Sequence, residues 1–191
     1  KNYLSILFAA MLIFNSCSDF LDMKPNGVLD QEDVTGKDQV DKLVIAAYSI
    51  LGNDHYDAPM NLWPFGNVRS DDAYKGGRDE ADIQDYHFYE ISNNILSTFG
   101  IPDATWFNFY MCISRANTAL RALSEVSEED FPMKNVRMAE CRFLRGHSYF
   151  LLKVMFKNVP YIDETLPVEE YKDVSNVALT NDELWGKIAG D

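Results

Sequence analysis

Apolar positions fall along this chain in three patterns. From Leu4 to Phe14 they are nearly continuous, ten of eleven positions. Further on they recur at spacings of three and four, the signature of helices with one buried stripe. A first helix is expected at about Lys37–Leu51, with Val40, Leu43, Val44, Ala47, Tyr48 and Leu51 on one face and Gly52-Asn53 as its stop. A second starts near Pro102, where a missing N–H costs little, and carries Trp106, Phe109, Tyr110, Ile113, Ala116, Leu120 and Leu123. A third spans about Met133–Lys157, with an apolar line through Val136, Ala139, Phe143, Tyr149, Phe150 and Val154, and ends before Val159-Pro160. On these stripes Trp106 and Phe143 are expected to be buried, each costing about 3–5 kcal/mol on truncation to Ala. Thr180-Asn181-Asp182-Glu183 has the spacing of a capping box, so a helix is expected to begin there. A helix that short is marginal unless packed on something, which suggests the N-terminal piece of a longer protein. With no strand pattern between these stripes, the domain is expected to be mainly helical.

Asn53 to Pro102 shows the third pattern, which is no period at all. It holds Trp63-Pro64-Phe65-Gly66, then Ser70-Asp71-Asp72-Ala73-Tyr74-Lys75-Gly76-Gly77, and later Asp85-Tyr86-His87-Phe88-Tyr89. A long irregular segment in a compact domain is usually functional or flexible.

The continuous run at the start has a different meaning. Lys1 precedes it, the small residue Ser16 follows it, and eleven helical residues rise only about 16 Å, too little to span a bilayer. Residues 1–16 therefore read as a secretory signal peptide, and Cys17 at the cut point as the site of lipidation. Phe14 and Asn15 stand where a lipobox usually has Leu and a small residue. More than one acyl chain on Cys17 would anchor the protein stably, at about 0.8 kcal/mol per buried methylene. Residues 17–36 then form an extended, lipidated leader, with Pro25-Asn26-Gly27 as a turn. The alternative is a plain signal followed by an ordinary cysteine.

Charge narrows the choice of partners. The net charge of −13 becomes −14 once residues 1–16 are gone, because they hold one lysine and no acid. Nucleic acid is thereby disfavoured as a partner, since backbone binding depends on clustered Lys and Arg. At 47% hydrophobic and 13% aromatic the chain is globular. Cys112 and Cys141 both lie in helical patterns and read as two small buried thiols, or as a disulfide between facing helices.

The residues do not favour catalysis. His55, His87 and His147 lack zinc-binding spacing, there is no nucleophile elbow and no phosphate-cradling glycine loop. Asp71-Asp72 and Glu128-Glu129 are expected in any acidic chain. Asp54, Asp57, Asp79, Glu80 and Asp82 lack the ordered spacing of an EF-hand. No catalytic residue, metal ligand or cofactor is assigned.

Taken together, these segments resemble the SusD/RagB family of outer-membrane nutrient-binding lipoproteins. Ser16-Cys17-Ser18-Asp19-Phe20-Leu21-Asp22 looks like the family's lipobox and leader, and Ala46-Ala47-Tyr48 like part of its first helix. Arg69-Ser70-Asp71-Asp72 resembles its Ser-Asp-Asp-type loop. Trp106 to Asn117 matches a Trp-x-x-x-Tyr-x-x-Ile-x-x-Ala-Asn helix, and Ala139 to Phe150 an Ala-Glu-x-x-x-Leu-Arg-Ala-x-x-Tyr-Phe segment, with Gly146 in place of Ala. The likeness covers residues 16–188. It implies an all-α fold of tetratricopeptide-like helical pairs with long irregular loops, of which residues 37–191 are the N-terminal part. It also implies a cell-surface lipoprotein anchored in the outer membrane and facing outward. Such a protein binds an oligosaccharide and delivers it to a SusC-like TonB-dependent transporter. A lipid-anchored hydrolase, with its active site in a C-terminal part beyond this chain, is the alternative.

If a glycan is bound, stacking faces and hydrogen-bonding groups should hold it. Trp63, Asn67, Arg69, Asp71, Asp72 and Tyr74, with Lys75 beside them, supply both within the aperiodic segment. The competing reading packs Trp63 and Tyr74 onto the helices and uses Asp71-Asp72 to cap a turn. Trp106, Tyr110 and Asn117 read as core, and Arg142 and Arg145 as partners of internal acids or as side chains reaching the surface.

Overall fold

The computed structural model describes residues 37–52, 62–92 and 100–191, all within one unit, Thr35–Asp191. The signal peptide 1–16, Cys17, the leader 17–36, His55, Asp54 and Asp57 lie outside the described residues.

Among the described residues five α-helices carry the fold: α1 (Lys37–Leu51), α2 (Gln84–Glu90), α3 (Gly100–Glu125), α4 (Lys134–Phe156) and α5 (Asn181–Gly190). No strand occurs among the described residues. The expected bounds of α1, α3 and α4 agree to within about two residues. α2 was not expected, and neither was the 3-10 turn Val168–Asp173. Side chains pair across α3 and α4 in opposite order: Trp106 with Phe156, Tyr110 with Tyr149, Asn117 with Arg145. The two helices therefore run antiparallel, an expected consequence of an eight-residue link (126–133) between long neighbours. α1 packs against both and closes one core of Val40, Val44, Ala47, Ile50, Cys112, Ala116, Leu120, Leu123, Cys141 and Leu144. A second core of Phe109, Ile113, Tyr149, Leu152, Val159 and Leu184 joins the same pair to α5.

The capping box at Thr180 is formed. The Glu183 amide donates to Thr180 Oγ1 at 3.3 Å, and the Thr180 amide donates to a Glu183 carboxylate oxygen at 2.8 Å. Cys112 and Cys141 are buried free thiols rather than a disulfide. Burial pushes the Cys141 thiol up to about 12 and the Cys112 thiol upward as well.

α4 corrects the stripe read from the sequence. Phe143 is 64% exposed, and Val136, Phe150 and Val154 also face outward. The inward face is Cys141, Leu144, Arg145, Ser148, Tyr149 and Leu152, with only Tyr149 shared between the two. The helix carries two apolar stripes, and the one that faces the core is broken by Ser148 and Arg145. Trp106 is half-buried, set edge-on to Phe156 at 5.0 Å and tilted on Tyr110 at 4.9 Å.

Gly146, the departure from the family's Ala, has a packing reason. A Cβ there would meet the Asp191 Cβ at 3.1 Å and the Ile188 carbonyl oxygen at 3.3 Å. The last turn of α5 crosses α4 against this glycine.

Candidate functional site

Within the aperiodic segment, Trp63 is the residue before a π-helical turn, Pro64–Val68. Val68, Tyr89 and Ile101 form a small core beneath it, with Phe65 and Tyr86 packed alongside. Two edge-on ring contacts, Trp63–Tyr86 and Phe65–Tyr89, each at 5.1 Å, join this turn to α2. α2 is tied in turn to α3, because an Asp85 carboxylate oxygen accepts from the Ile101 amide at 3.0 Å. An acid is favoured at that helix end by the free amides there. Burial, with the nearby Asp85, pushes the Tyr89 hydroxyl up to about 12.

The Ser-Asp-Asp turn follows directly. The Ser70 amide donates to the Gly66 carbonyl and the Ala73 amide to the Asn67 carbonyl, both at 2.9 Å. Ser70 Oγ donates to Asp72 at 3.0 Å, and Asp71 sits at φ 67, in the left-handed region. That conformation is tolerated by Asp and Asn better than by most residues. Lys75 then fastens the turn to α2. Its amide donates to Glu90 at 3.1 Å, and its ammonium donates to the Gly76 and Asp82 carbonyls.

Each sequence-expected residue can now be placed. Trp63, Asn67, Arg69, Asp71, Asp72 and Tyr74 all lie on this one turn and all are exposed, Trp63 at 40% and Tyr74 at 82%. Asp72 serves the turn through Ser70, so it has a structural role as well as an exposed carboxylate. Trp63 is held by Tyr86 on one side, while Tyr74 projects into solvent. Lys75 is a fastening residue of the loop.

A concavity of about 300 Å³ lies between the segment 159–179 and α5, lined by Val159, Tyr161, Asp163, Val174, Leu179 and Lys187 among others. Its aromatic ring is already engaged. Tyr161 stacks on Tyr149 at 4.7 Å, the Lys187 ammonium lies 5.5 Å from its ring centre, and its hydroxyl donates to Asp191 at 3.0 Å.

Beside it sits the most densely bonded polar group of the described residues. Arg145 Nη1 donates to Asn117 Oδ1 at 2.7 Å and to Glu164, while Nε and Nη2 grip the Asp191 carboxylate at 2.8 and 2.5 Å. The Arg145 and Asp191 side chains are 4% and 5% exposed. Burial works against the guanidinium charge, and the hydrogen bonds to Asp191 and Glu164 outweigh it. Desolvation raises the Glu164 carboxyl, but the Arg145 bond brings the net shift below the usual range. The sequence reading foresaw a partner for Arg145 and missed that its role is to join four parts of the chain. Arg142 is exposed, as the other branch of that reading allowed.

No helix among the described residues is long and apolar enough to cross a membrane. No group of three or more His, Cys, Asp or Glu among them could hold a metal ion.

The chain is similar to several known proteins. A family described as "Starch-binding associating with outer membrane" (SusD-like) matches residues 19–191. SusD-like protein P38 of Formosa agariphila is 26% identical over 160 residues, 82% of this chain and 30% of that protein. SusD-like protein P25 of the same organism is 25% identical over 181 residues, 88% of this chain and 33% of the relative. The solved structure of surface glycan-binding protein A from Bacteroides fluxus superposes with a TM-score of 0.64 at 22% identity, covering 82% of this chain and 32% of that one. The chain thus spans about a third of the length of these relatives. With the family matched along nearly the whole chain and the helical fold shared, the protein belongs to the SusD-like family.

Proposed function

We propose that this chain is the N-terminal part of a cell-surface lipoprotein that binds a glycan and delivers it to a SusC-like TonB-dependent transporter. Cys17 carries the lipid anchor in the outer membrane, and the domain faces outward. Family membership supports glycan binding as the class of activity. The single observation that carries the reading to a place is the turn 63–74. Trp63 and Tyr74 expose aromatic surface there, next to the exposed side chains of Asn67, Arg69, Asp71 and Asp72.

Such a set suits sugars for a physical reason. A ring face covers the C–H side of a pyranose, and carboxylate, amide and guanidinium groups pair with its hydroxyls. The π-turn and the Lys75 bonds hold the backbone in place before ligand arrives, so less ordering cost falls on binding.

A glycan array probed with the full-length soluble protein, followed by calorimetric titration of Trp63→Ala and Asp72→Ala, tests this. Loss of the acid leaves sugar hydroxyls without partners, about 1–3 kcal/mol or roughly ten- to hundredfold in affinity. Unchanged affinity in both variants, with folding intact, would move the site elsewhere. Anchoring has its own test: Cys17→Ala should abolish incorporation of a fatty-acid analogue, and equal label in both proteins would refute it.

A further inference from the structure

The concavity between the segment 159–179 and α5 holds two unlike charges that do not pair with each other. Lys187 lies exposed on α5, its ammonium 5.5 Å from the centre of the Tyr161 ring. It makes no ion pair and no hydrogen bond among the described residues. Asp163 stands on the facing segment. Its Oδ1 accepts from the Thr165 hydroxyl at 2.6 Å and from the Thr165 amide at 3.0 Å, while its Oδ2 accepts nothing among the described residues. Burial works against the Asp163 charge, and the Thr165 bonds outweigh it with help from the charges of Arg145 and Lys187. The ammonium and the carboxylate thus act on the same space, each with bonding capacity left over.

The remaining wall is aliphatic, with Leu166, Val174 and Leu179 in it. At about 300 Å³ the space stands at the low end of small-molecule pockets. These features narrow the chemistry of an occupant. A neutral sugar suits it poorly, because Tyr161 is already stacked on Tyr149 and aliphatic groups offer hydroxyls no partner. A fatty acid would answer Lys187 but cover Asp163 without a partner, and a simple amine would do the reverse. One ligand class answers all three walls at once: a small zwitterion that carries a branched aliphatic group.

We propose that this concavity is a binding site for a free α-amino acid with a branched aliphatic side chain. Its carboxylate meets the Lys187 ammonium, its ammonium meets the free Oδ2 of Asp163, and its side chain lies against Leu166, Val174 and Leu179. Both polar contacts are charge-assisted hydrogen bonds, the stronger kind. The assignment is independent of glycan binding, since no residue of the turn 63–74 lines the concavity.

The test is calorimetric titration of the full-length soluble protein with L-leucine. Three analogues each lack one group: isocaproate the amine, isoamylamine the carboxylate, and glycine the side chain. L-leucine should bind saturably with a Kd below about 1 mM, and each analogue roughly tenfold or more weakly. Lys187→Met should weaken L-leucine by a similar factor and leave isoamylamine unchanged, because that analogue has nothing to give position 187. Asp163→Asn should weaken L-leucine too and leave isocaproate unchanged. Thermal unfolding midpoints establish that both variants are folded, and having two guards against a misfolded one. Trp63→Ala should leave the L-leucine isotherm as in wild type, whatever it does to glycan binding. A weaker Kd for L-leucine, or no binding, would overturn the proposal. So would analogues that bind as tightly as L-leucine, which describe a merely greasy groove. Wild-type affinity in both charge variants, or loss of L-leucine binding in Trp63→Ala, would equally refute this placement.

Discussion

The segments 159–164 and 62–92 both lie outside the long helices α1, α3 and α4, yet they are held in opposite ways. In 159–164 the backbone groups go to side chains of the helix pair. Tyr110 donates to the Pro160 carbonyl at 2.7 Å, Asn117 to the Ile162 carbonyl at 3.0 Å, and the Tyr149 hydroxyl both donates to the Ile162 carbonyl and accepts from its amide. Those donors are half-buried or buried, so each bond satisfies a group that water reaches poorly. In 62–92 the bonds are mostly local, within the turn or to α2, and a small core of Val68, Tyr89 and Ile101 is the anchor. The first segment is a strap and the second is a platform with exposed faces. Substitutions at the exposed positions of the second are expected to leave the helical cores intact.

Mutations should separate the two. The largest effect belongs to Arg145→Ala, which leaves the buried Asp191 carboxylate and Asn117 without their partner. A loss of about 3–5 kcal/mol is expected in chemical denaturation, and a loss under 1 kcal/mol would remove Arg145 from the centre of the strap. Tyr149→Phe comes next. It strands the Ile162 amide, while the Ile162 carbonyl keeps its bond from Asn117, and should cost about 1–3 kcal/mol, with the same denaturation curve as readout. Trp63→Ala should cost about 1 kcal/mol or less, since it removes one edge-on contact from a side chain already 40% exposed.

Acid should act on the strap as well. Desolvation of Glu164 is outweighed by its bond to Arg145, and desolvation of Asp163 by its bonds from Thr165, so both carboxyls sit below their ordinary values of 4.5 and 3.8. A carboxyl lowered in the folded state adds stability that is fully present above its unfolded value and lost as pH falls through the folded one. Unfolding midpoints should therefore be flat above about pH 5 and drop below it. Glu164→Gln should shrink that drop, and an unaltered acid limb would show that the Arg145 pair is not its source.

Much of the strap's frame was legible in sequence, while its bonds were not. Most of the stripes of α1 and α3 and the capping box at Thr180 followed from spacing alone, but on α1 Tyr48 is 40% exposed and Ile50, outside the expected stripe, is buried in the core. α4 misled because its core face includes Ser148 and Arg145, so apolar spacing picked out the outward Phe143 line instead. Polar residues face inward there because Asn117, Glu164 and Asp191 arrive from elsewhere in the chain, and no local pattern records that meeting. The adjacent Arg145-Gly146 was the available signal: a long cation next to a residue without a side chain marks a close crossing. On the platform, composition alone singled out the six residues, because none of them is needed for a helical stripe. What it could not supply was α2, whose start follows Ile83 in the left-handed region at φ 53.

The division between strap and platform is tested most directly by measuring affinity and stability on the same samples. The full-length protein, Trp63→Ala, Tyr74→Ala and Tyr149→Phe would each be titrated calorimetrically with an array-identified glycan and then unfolded with denaturant. Trp63→Ala and Tyr74→Ala should bind roughly ten- to hundredfold more weakly with unfolding free energies within about 1 kcal/mol of wild type, whereas Tyr149→Phe should lose stability and keep its affinity. Wild-type affinity in both Trp63→Ala and Tyr74→Ala, with their helices intact, would contradict the assignment of the turn 63–74 as the glycan contact.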